Sequence, residues 1–70
     1  MTTGEYSFSG PDATGTYWYF VWRPDGTTFA QGNGINGDSI RDTMLLEIVR
    51  LGVPCVERID ERIDRKVINR

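Results

Sequence analysis

The densest apolar run in the chain covers Tyr17 to Trp22, six consecutive aromatic or β-branched residues. Such residues favour β-strands, and turn-forming segments flank the run, so the pattern predicts a strand over about 16–23. Neighbouring side chains of a strand point to opposite faces. One face then carries Tyr17, Tyr19 and Val21, and the other carries Trp18, Phe20 and Trp22. Both faces are apolar, so each needs cover from the rest of the fold or from a partner.

Two shorter segments predict strands on either side of this one. Residues 5–9 alternate between polar and aromatic side chains. The sequence Pro24-Asp25-Gly26 is typical of a bulged hairpin turn, because proline presets φ and glycine tolerates the left-handed position. A return strand is therefore expected over about 27–31. Together the three segments predict an antiparallel meander with the aromatic strand in the middle.

A helical pattern follows the glycine-rich stretch 32–37. Apolar residues recur at a spacing of three or four, which predicts a helix over 38–51 with one broad apolar side. This side comprises Ile40, Met44, Leu45, Ile48, Val49 and Leu51, whereas Leu46 lies outside it. We expect the apolar side to cover one face of the sheet.

Both ends of this helix carry recognisable signals. Asp38 or Ser39 is expected to cap the N-terminus, and Ser39 and Asp42 have the spacing of a capping box. At the other end, Gly52 is expected to adopt the left-handed conformation that terminates helices, and Pro54 prevents continuation.

The last segment allows two interpretations. Apolar residues at Val56, Ile59, Ile63 and Val67 recur at helical spacing, which favours a second helix over 56–68. The alternative is a strand or hairpin, because chain that leaves the first helix at 53–56 could be extended and pair with the sheet. Either way, the sequence predicts a single α+β domain spanning 1–70.

Charge and terminal composition restrict the function classes. Eight basic and ten acidic residues give a net charge of −2, which is too balanced for a general nucleic-acid or membrane binder. The first residues lack the features of a signal peptide, and no apolar run approaches the ~20 residues of a membrane span. We therefore expect a soluble, cytoplasmic protein.

Little in the composition supports catalysis or metal binding. The chain has no histidine and a single cysteine, Cys55, so neither an internal disulfide nor a zinc site is expected. The carboxylates of Asp60, Glu61 and Asp64 are interleaved with basic residues, as on a solvated helix face. We therefore expect a protein without a cofactor that is not an enzyme.

One motif resembles a nucleotide-binding loop. Gly32, Gly34 and Gly37 match the spacing of the dinucleotide fingerprint between a predicted strand and a predicted helix. The strand before it belongs to an antiparallel hairpin, and Asp38 places negative charge where a phosphate would bind. A glycine-rich connection is therefore the favoured interpretation.

The leading functional hypothesis is a non-enzymatic protein-binding module, with a homodimer as one possibility. Aromatic residues are common interface anchors. The candidate partner-binding residues are Tyr17, Trp18, Tyr19 and Trp22, with Arg62, Arg65 and Lys66 as charges at the rim. The sequence does not choose between the tyrosine and tryptophan faces. Two alternatives stay open: single-stranded nucleic-acid binding through the aromatic strand, and a structural subunit of a larger assembly.

The order of elements over residues 16–52 resembles that of several small ββα proteins. These include antitoxin-type proteins, ββα repeat domains of bacterial proteins and some phage-encoded anti-CRISPR proteins. The resemblance implies a small phage or mobile-element protein that works by binding, either as an inhibitor of host defence or as an accessory factor. It rests on topology alone and transfers no functional residue.

Overall fold

A computed structural model describes residues 2–58. The elements, in order, are β1 (Gly4–Ser9), β2 (Tyr17–Trp22), β3 (Thr28–Gly34), α1 (Gly37–Leu51) and β4 (Cys55–Glu57). The strands form one sheet in the order β3-β2-β1-β4. Strand β2 pairs antiparallel with β1 and β3, and β4 pairs parallel with β1. The α+β class and the three-stranded meander predicted from the sequence are thus confirmed.

The tyrosine face of β2 is the one that α1 covers. Tyr19 and Val21 form a buried cluster with Met44 of α1, whose side chain is 1% exposed. The register places Phe8 opposite Tyr19 and Tyr6 opposite Val21, so β1 contributes aromatic rings to the same face. The core therefore lies between β2 and α1.

Strand β3 extends further than the predicted 27–31, because Gly32 and Gly34 belong to the strand and not to a loop. Gly32 pairs with Tyr19, and a Cβ atom at Gly32 would lie 2.6 Å from Cε2 of that tyrosine. A larger residue would clash with the ring. The glycine is thus required by close packing inside a strand.

Helix α1 begins one residue before the predicted start and has a different cap. Asn36 is extended, at φ −103° and ψ 102°, and its side-chain oxygen accepts a hydrogen bond from the Ser39 N–H at 3.1 Å. The prediction of Asp38 or Ser39 as the cap was wrong. The expected end is confirmed, since Gly52 has φ 85° and its N–H donates to the Ile48 carbonyl at 3.3 Å.

The apolar side of α1 is narrower than predicted. Ile40, Ile48 and Leu51 pack against the buried cluster, as expected. Leu45 and Val49, which were assigned to the same side, are exposed. Met44 faces the sheet, and a helix turns by about 100° per residue, so Leu45 and Val49 lie about 100° and 140° around the helix from Met44 and point away from the strands.

The predicted helix over 56–68 was wrong at its start. Residues 55–57 form β4, which pairs with β1. Hydrogen bonds to β1 continue on both sides of β4: the Gly4 N–H donates to the Pro54 carbonyl and the Arg58 N–H donates to the Tyr6 carbonyl, both at 2.8 Å. Pairing satisfies backbone groups on the outer edge of β1, and this outweighs the local helical spacing. The alternative of a strand is confirmed for these residues. The remainder of the predicted helix lies outside the described residues.

The cap of α1 can be tested by comparing two single substitutions. We expect Asn36→Ala to lower the free energy of unfolding by about 1 kcal/mol, because it removes the acceptor for a helix N–H. Ser39→Ala should have a smaller effect. Urea denaturation measures both, and a larger loss from Ser39→Ala would contradict the assignment of Asn36 as the cap.

Candidate interaction surfaces

The tryptophan face comprises Trp18, Phe20 and Trp22 and lies on the side of the sheet opposite α1. The rings of Phe20 and Trp22 stack with centroids 5.8 Å apart and an interplanar angle of 10°. Trp22 is 6% exposed, whereas Trp18 and Phe20 are half-buried. The Trp22 end of this face is therefore closely packed, whereas the Trp18 end is more accessible to solvent.

Arg58 packs over Trp22 at the end of β4. Its Cζ atom lies 3.9 Å from the centroid of the Trp22 ring, which is a close cation–π contact. Its Nη1 atom also lies 3.2 Å from Oε1 of Glu5, on neighbouring β1. The sequence alone does not indicate Arg58, because this contact depends on β4 pairing parallel with β1. The arginine thus contributes to the burial of Trp22.

Asp12 holds Trp18 in place from the loop before β2. The Trp18 Nε1–H donates to Oδ2 of Asp12 at 3.3 Å. Oδ1 of Asp12 accepts from the Thr14 hydroxyl at 2.6 Å and from the N–H groups of Thr14 and Thr16. These donors, the Thr14 hydroxyl foremost, hold the pKa of Asp12 well below its ordinary value. The loop is therefore organised around one ionised carboxylate.

A recess of about 320 Å³ opens beside the accessible end of the tryptophan face. Its lining consists of Trp18, Phe20, Gln31, Gly32 and Asn33. Aromatic surfaces from β2 thus meet side-chain amides from β3. Such a recess offers both stacking surface and hydrogen-bonding groups.

The tyrosines occupy two different environments. Tyr19 lies in the core, where burial and the nearby charge of Glu47 raise the pKa of its hydroxyl. Tyr17 packs beside Phe8, with ring centroids 6.1 Å apart. Tyr17 also lines a recess of about 640 Å³ at the start of α1, where Arg41 lies over the Phe8 ring at 4.9 Å. A partner could reach Tyr17 but not Tyr19.

The most exposed apolar cluster on α1 is a stripe formed by Leu45, Leu46 and Val49, which we call the α1 stripe. Their exposed fractions are 48%, 65% and 74%. Positions 45 and 49 are one turn apart, as are 46 and 49, so the three side chains adjoin on the helix surface. The sequence alone does not indicate this surface, because the helical pattern assigns Leu45 and Val49 to the side of the helix that was expected to cover the sheet.

Three of the predicted partner-binding residues belong to the part of the chain that the structure does not describe. Arg62, Arg65 and Lys66, the predicted rim charges, lie outside the described residues. Of the other four, Trp18 and Trp22 lie at opposite ends of one face of the sheet, and Tyr17 and Tyr19 lie on the other face. The partner-binding role of these residues stays a prediction.

The described part of the chain contains few groups that could bind a metal ion or catalyse a reaction. Within residues 2–58, no cluster of three or more histidine, cysteine or acidic side chains could hold a metal ion. Burial raises the pKa of the Cys55 thiol, which reduces the fraction of reactive thiolate. The glycine motif runs from an antiparallel edge strand into α1, unlike the parallel setting of a dinucleotide site. Over the same residues, no helix is long and apolar enough to cross a membrane.

No protein-family model, curated protein or solved structure matches this chain. The resemblance to small ββα proteins therefore stays a prediction, and the surfaces themselves carry the functional argument.

The role of Asp12 predicts a specific pH dependence of stability. Its pKa is lower in the folded protein than the ~3.9 of an unfolded chain, so ionised Asp12 stabilises the fold above that pH. This stabilisation is lost as the pH falls below about 4. We expect Asp12→Asn to be less stable than the wild type at neutral pH, with the difference shrinking in acid.

Urea denaturation over a pH series measures this difference. Asp25, whose pKa is lowered by hydrogen bonds from Thr27, is present in both proteins and so cancels in the comparison. Thr14→Val serves as a second variant, because it removes the hydroxyl donor and keeps the carboxylate. A difference between wild type and Asp12→Asn that is independent of pH would contradict the role of Asp12.

Proposed function

We propose that this protein is a non-enzymatic protein-binding module that docks through the α1 stripe. The observation that carries the proposal is the exposure of Leu45, Leu46 and Val49 together on one side of a helix. Contiguous exposed apolar patches on small soluble domains commonly mark interaction sites. Helices that insert such a stripe into a hydrophobic groove are a recurring mode of protein recognition.

Helix α1 is well suited to present this stripe as a rigid surface. It spans 15 residues, is capped at both ends, and is anchored to the sheet through Met44. Fully burying a leucine or valine side chain contributes about 1.5–3 kcal/mol. Three such side chains, already ordered by the helix, could supply the centre of an interface at little entropic cost.

Polar groups surround the stripe and would form the rim of this interface. Asp42 lies one turn before Leu46, and Arg50 follows Val49. Arg50 is exposed, and its Nη1 atom lies 3.3 Å from Oε1 of Glu47. Charges at a rim contribute mainly to specificity and association rate. The partner should therefore offer an apolar groove bordered by charges of both signs.

The same proposal includes the type of protein. A small phage or mobile-element protein that inhibits host defence would act by this kind of binding. Its partner would be a host protein, and the reaction chemistry would belong to that partner. This part of the proposal rests on the topological resemblance over residues 16–52.

Affinity capture with matched variants tests the proposal. Leu46→Glu and Val49→Glu place a charge in the stripe, and we expect each to reduce capture of a native-host partner at least tenfold. Ile35→Glu is the control, because Ile35 is 80% exposed and apolar but lies before α1. Quantitative mass spectrometry measures the capture, and circular dichroism verifies that every variant is folded. Equal capture by all four proteins would refute a role for the α1 stripe.

A second candidate function is single-stranded nucleic-acid binding at the tryptophan face. The recess beside Trp18 and Phe20 favours it, since bases stack on aromatic rings and the amides of Gln31 and Asn33 can bond to base edges. We expect mixed-sequence oligonucleotides to quench tryptophan fluorescence at low salt and to lose this effect as salt rises. Trp18→Phe should remove most of the quenching. The absence of quenching in the wild type at low salt would eliminate this candidate.

A further inference from the structure

Among the described residues, strand β3 forms an edge of the sheet that has little protection. Only its first residue is covered, by a hydrogen bond from Nη1 of Arg23 to the Thr28 carbonyl at 3.0 Å. The strand lies at the end of the strand order, spans seven residues, and contains neither a charged residue nor a proline. Natural proteins usually protect an edge with charge, proline, a bulge or short length, because its outward N–H and C=O groups invite pairing. The irregularity opposite Val21 and Trp22 affects only the first residues of β3. At the opposite end of the sheet, β4 has only three residues.

We propose that β3 pairs antiparallel with β3 of a second copy of this chain. The pairing would join two four-stranded sheets into one continuous sheet around a two-fold axis. It goes beyond the proposed function, because it assigns a different surface and identifies its occupant.

The residues of β3 are compatible with their own symmetry mates. Gln31 is the central residue of Thr28–Gly34, so a two-fold axis there places Gln31 opposite its twin and Ala30 opposite Gly32. A charged residue at the centre would face an identical charge in any two-fold pair. The uncharged sequence avoids this repulsion. Ala30, Gly32 and Gly34 are small, so on the face that carries α1 they leave room for the side chains of the second copy.

The position of α1 also fits a paired sheet. Met44 contacts Tyr19 and Val21 of β2, whereas Ile40 lies against Gly34 of β3, so the helix sits above the boundary between these strands. Neighbouring strands are about 4.8 Å apart. Two helices related by an axis beside β3 would therefore be separated by about two strand spacings, or roughly 10 Å. Packed helices are typically 8–10 Å apart, so the two copies of α1 would touch without clashing.

Complementary charges lie on the side of α1 that would face the second copy. Arg41 contacts Phe8 of β1, so the side of α1 that carries Arg41 faces β1. Glu47 lies on the other side of the helix wheel, toward β3, and pairs with Arg50 within its own helix. The side of α1 that would face the second copy therefore carries one charge of each sign. The α1 stripe points outward and would stay available for a partner.

A charge-exchange experiment tests the pairing. Gln31 and Asn33 are exposed residues of β3, so the fold should tolerate Gln31→Lys with Asn33→Lys, and Gln31→Glu with Asn33→Glu. Analytical ultracentrifugation at low salt measures the dimer dissociation constant. We expect the wild type to dimerise and each double variant to dissociate about tenfold more readily. The two charges at position 31 face each other across the new pair, and the charges at position 33 add to the like charge on each strand. An equimolar mixture of the two variants should recover dimerisation as heterodimers.

Three outcomes would overturn the inference: a monomeric wild type at all concentrations, double variants that dimerise as well as the wild type, or a mixture that fails to recover. Leu46→Glu is the matched control and should dimerise normally. If Leu46→Glu abolishes dimerisation while the β3 variants retain it, the dimer forms through the α1 stripe and pairing at β3 is wrong. Loss of partner capture by Leu46→Glu with an intact dimer separates this inference from the proposed function.

Discussion

The burial of one face of β2 under α1 is the constraint on which the rest of the structure depends. Tyr19 and Val21 meet Met44 in the centre of a domain that has few other fully buried side chains among its described residues. Gly32 must pass the Tyr19 ring without a Cβ atom, and this requirement fixes glycine at position 32 of β3. Because α1 packs on the sheet through Met44 and its neighbours, the opposite side of the helix stays exposed. The exposed surfaces thus follow from the position of the core.

The elements with strong local signals could be predicted from the sequence. The aromatic run of β2, the turn at Gly26 and the end of α1 at Gly52 all depend on neighbouring residues, and Gly26 and Gly52 have the positive φ that these signals require. The features that could not be predicted depend on tertiary contacts. Gly32 has the composition of a loop residue but packs inside a strand, and residues 55–57 have helical spacing but pair with the free edge of β1. Asn36 outcompetes Ser39 as the cap because the chain is extended as it leaves β3.

The candidate site was harder to predict than the fold. A helical wheel places Leu45 and Val49 near the core residues, and only the position of the helix on the sheet shows that they are exposed. Conversely, two of the aromatic residues that dominate the sequence are buried. Tyr19 lies in the core, and Trp22 is covered by Arg58, a residue whose position depends on the parallel pairing of β4. In so short a chain, large aromatic residues are needed to build a core, and apolar side chains beyond that core stay exposed.

Hydroxyl-radical footprinting of the free protein tests the central claim most directly, because it reports the accessibility of individual side chains. If β2 and α1 pack as described, Met44 and Tyr19 should be protected relative to the same residues in the unfolded chain. Leu46 and Val49 should be modified at nearly the unfolded rate. Rapid modification of Met44 and Tyr19, together with protection of Leu46 and Val49, would contradict the account.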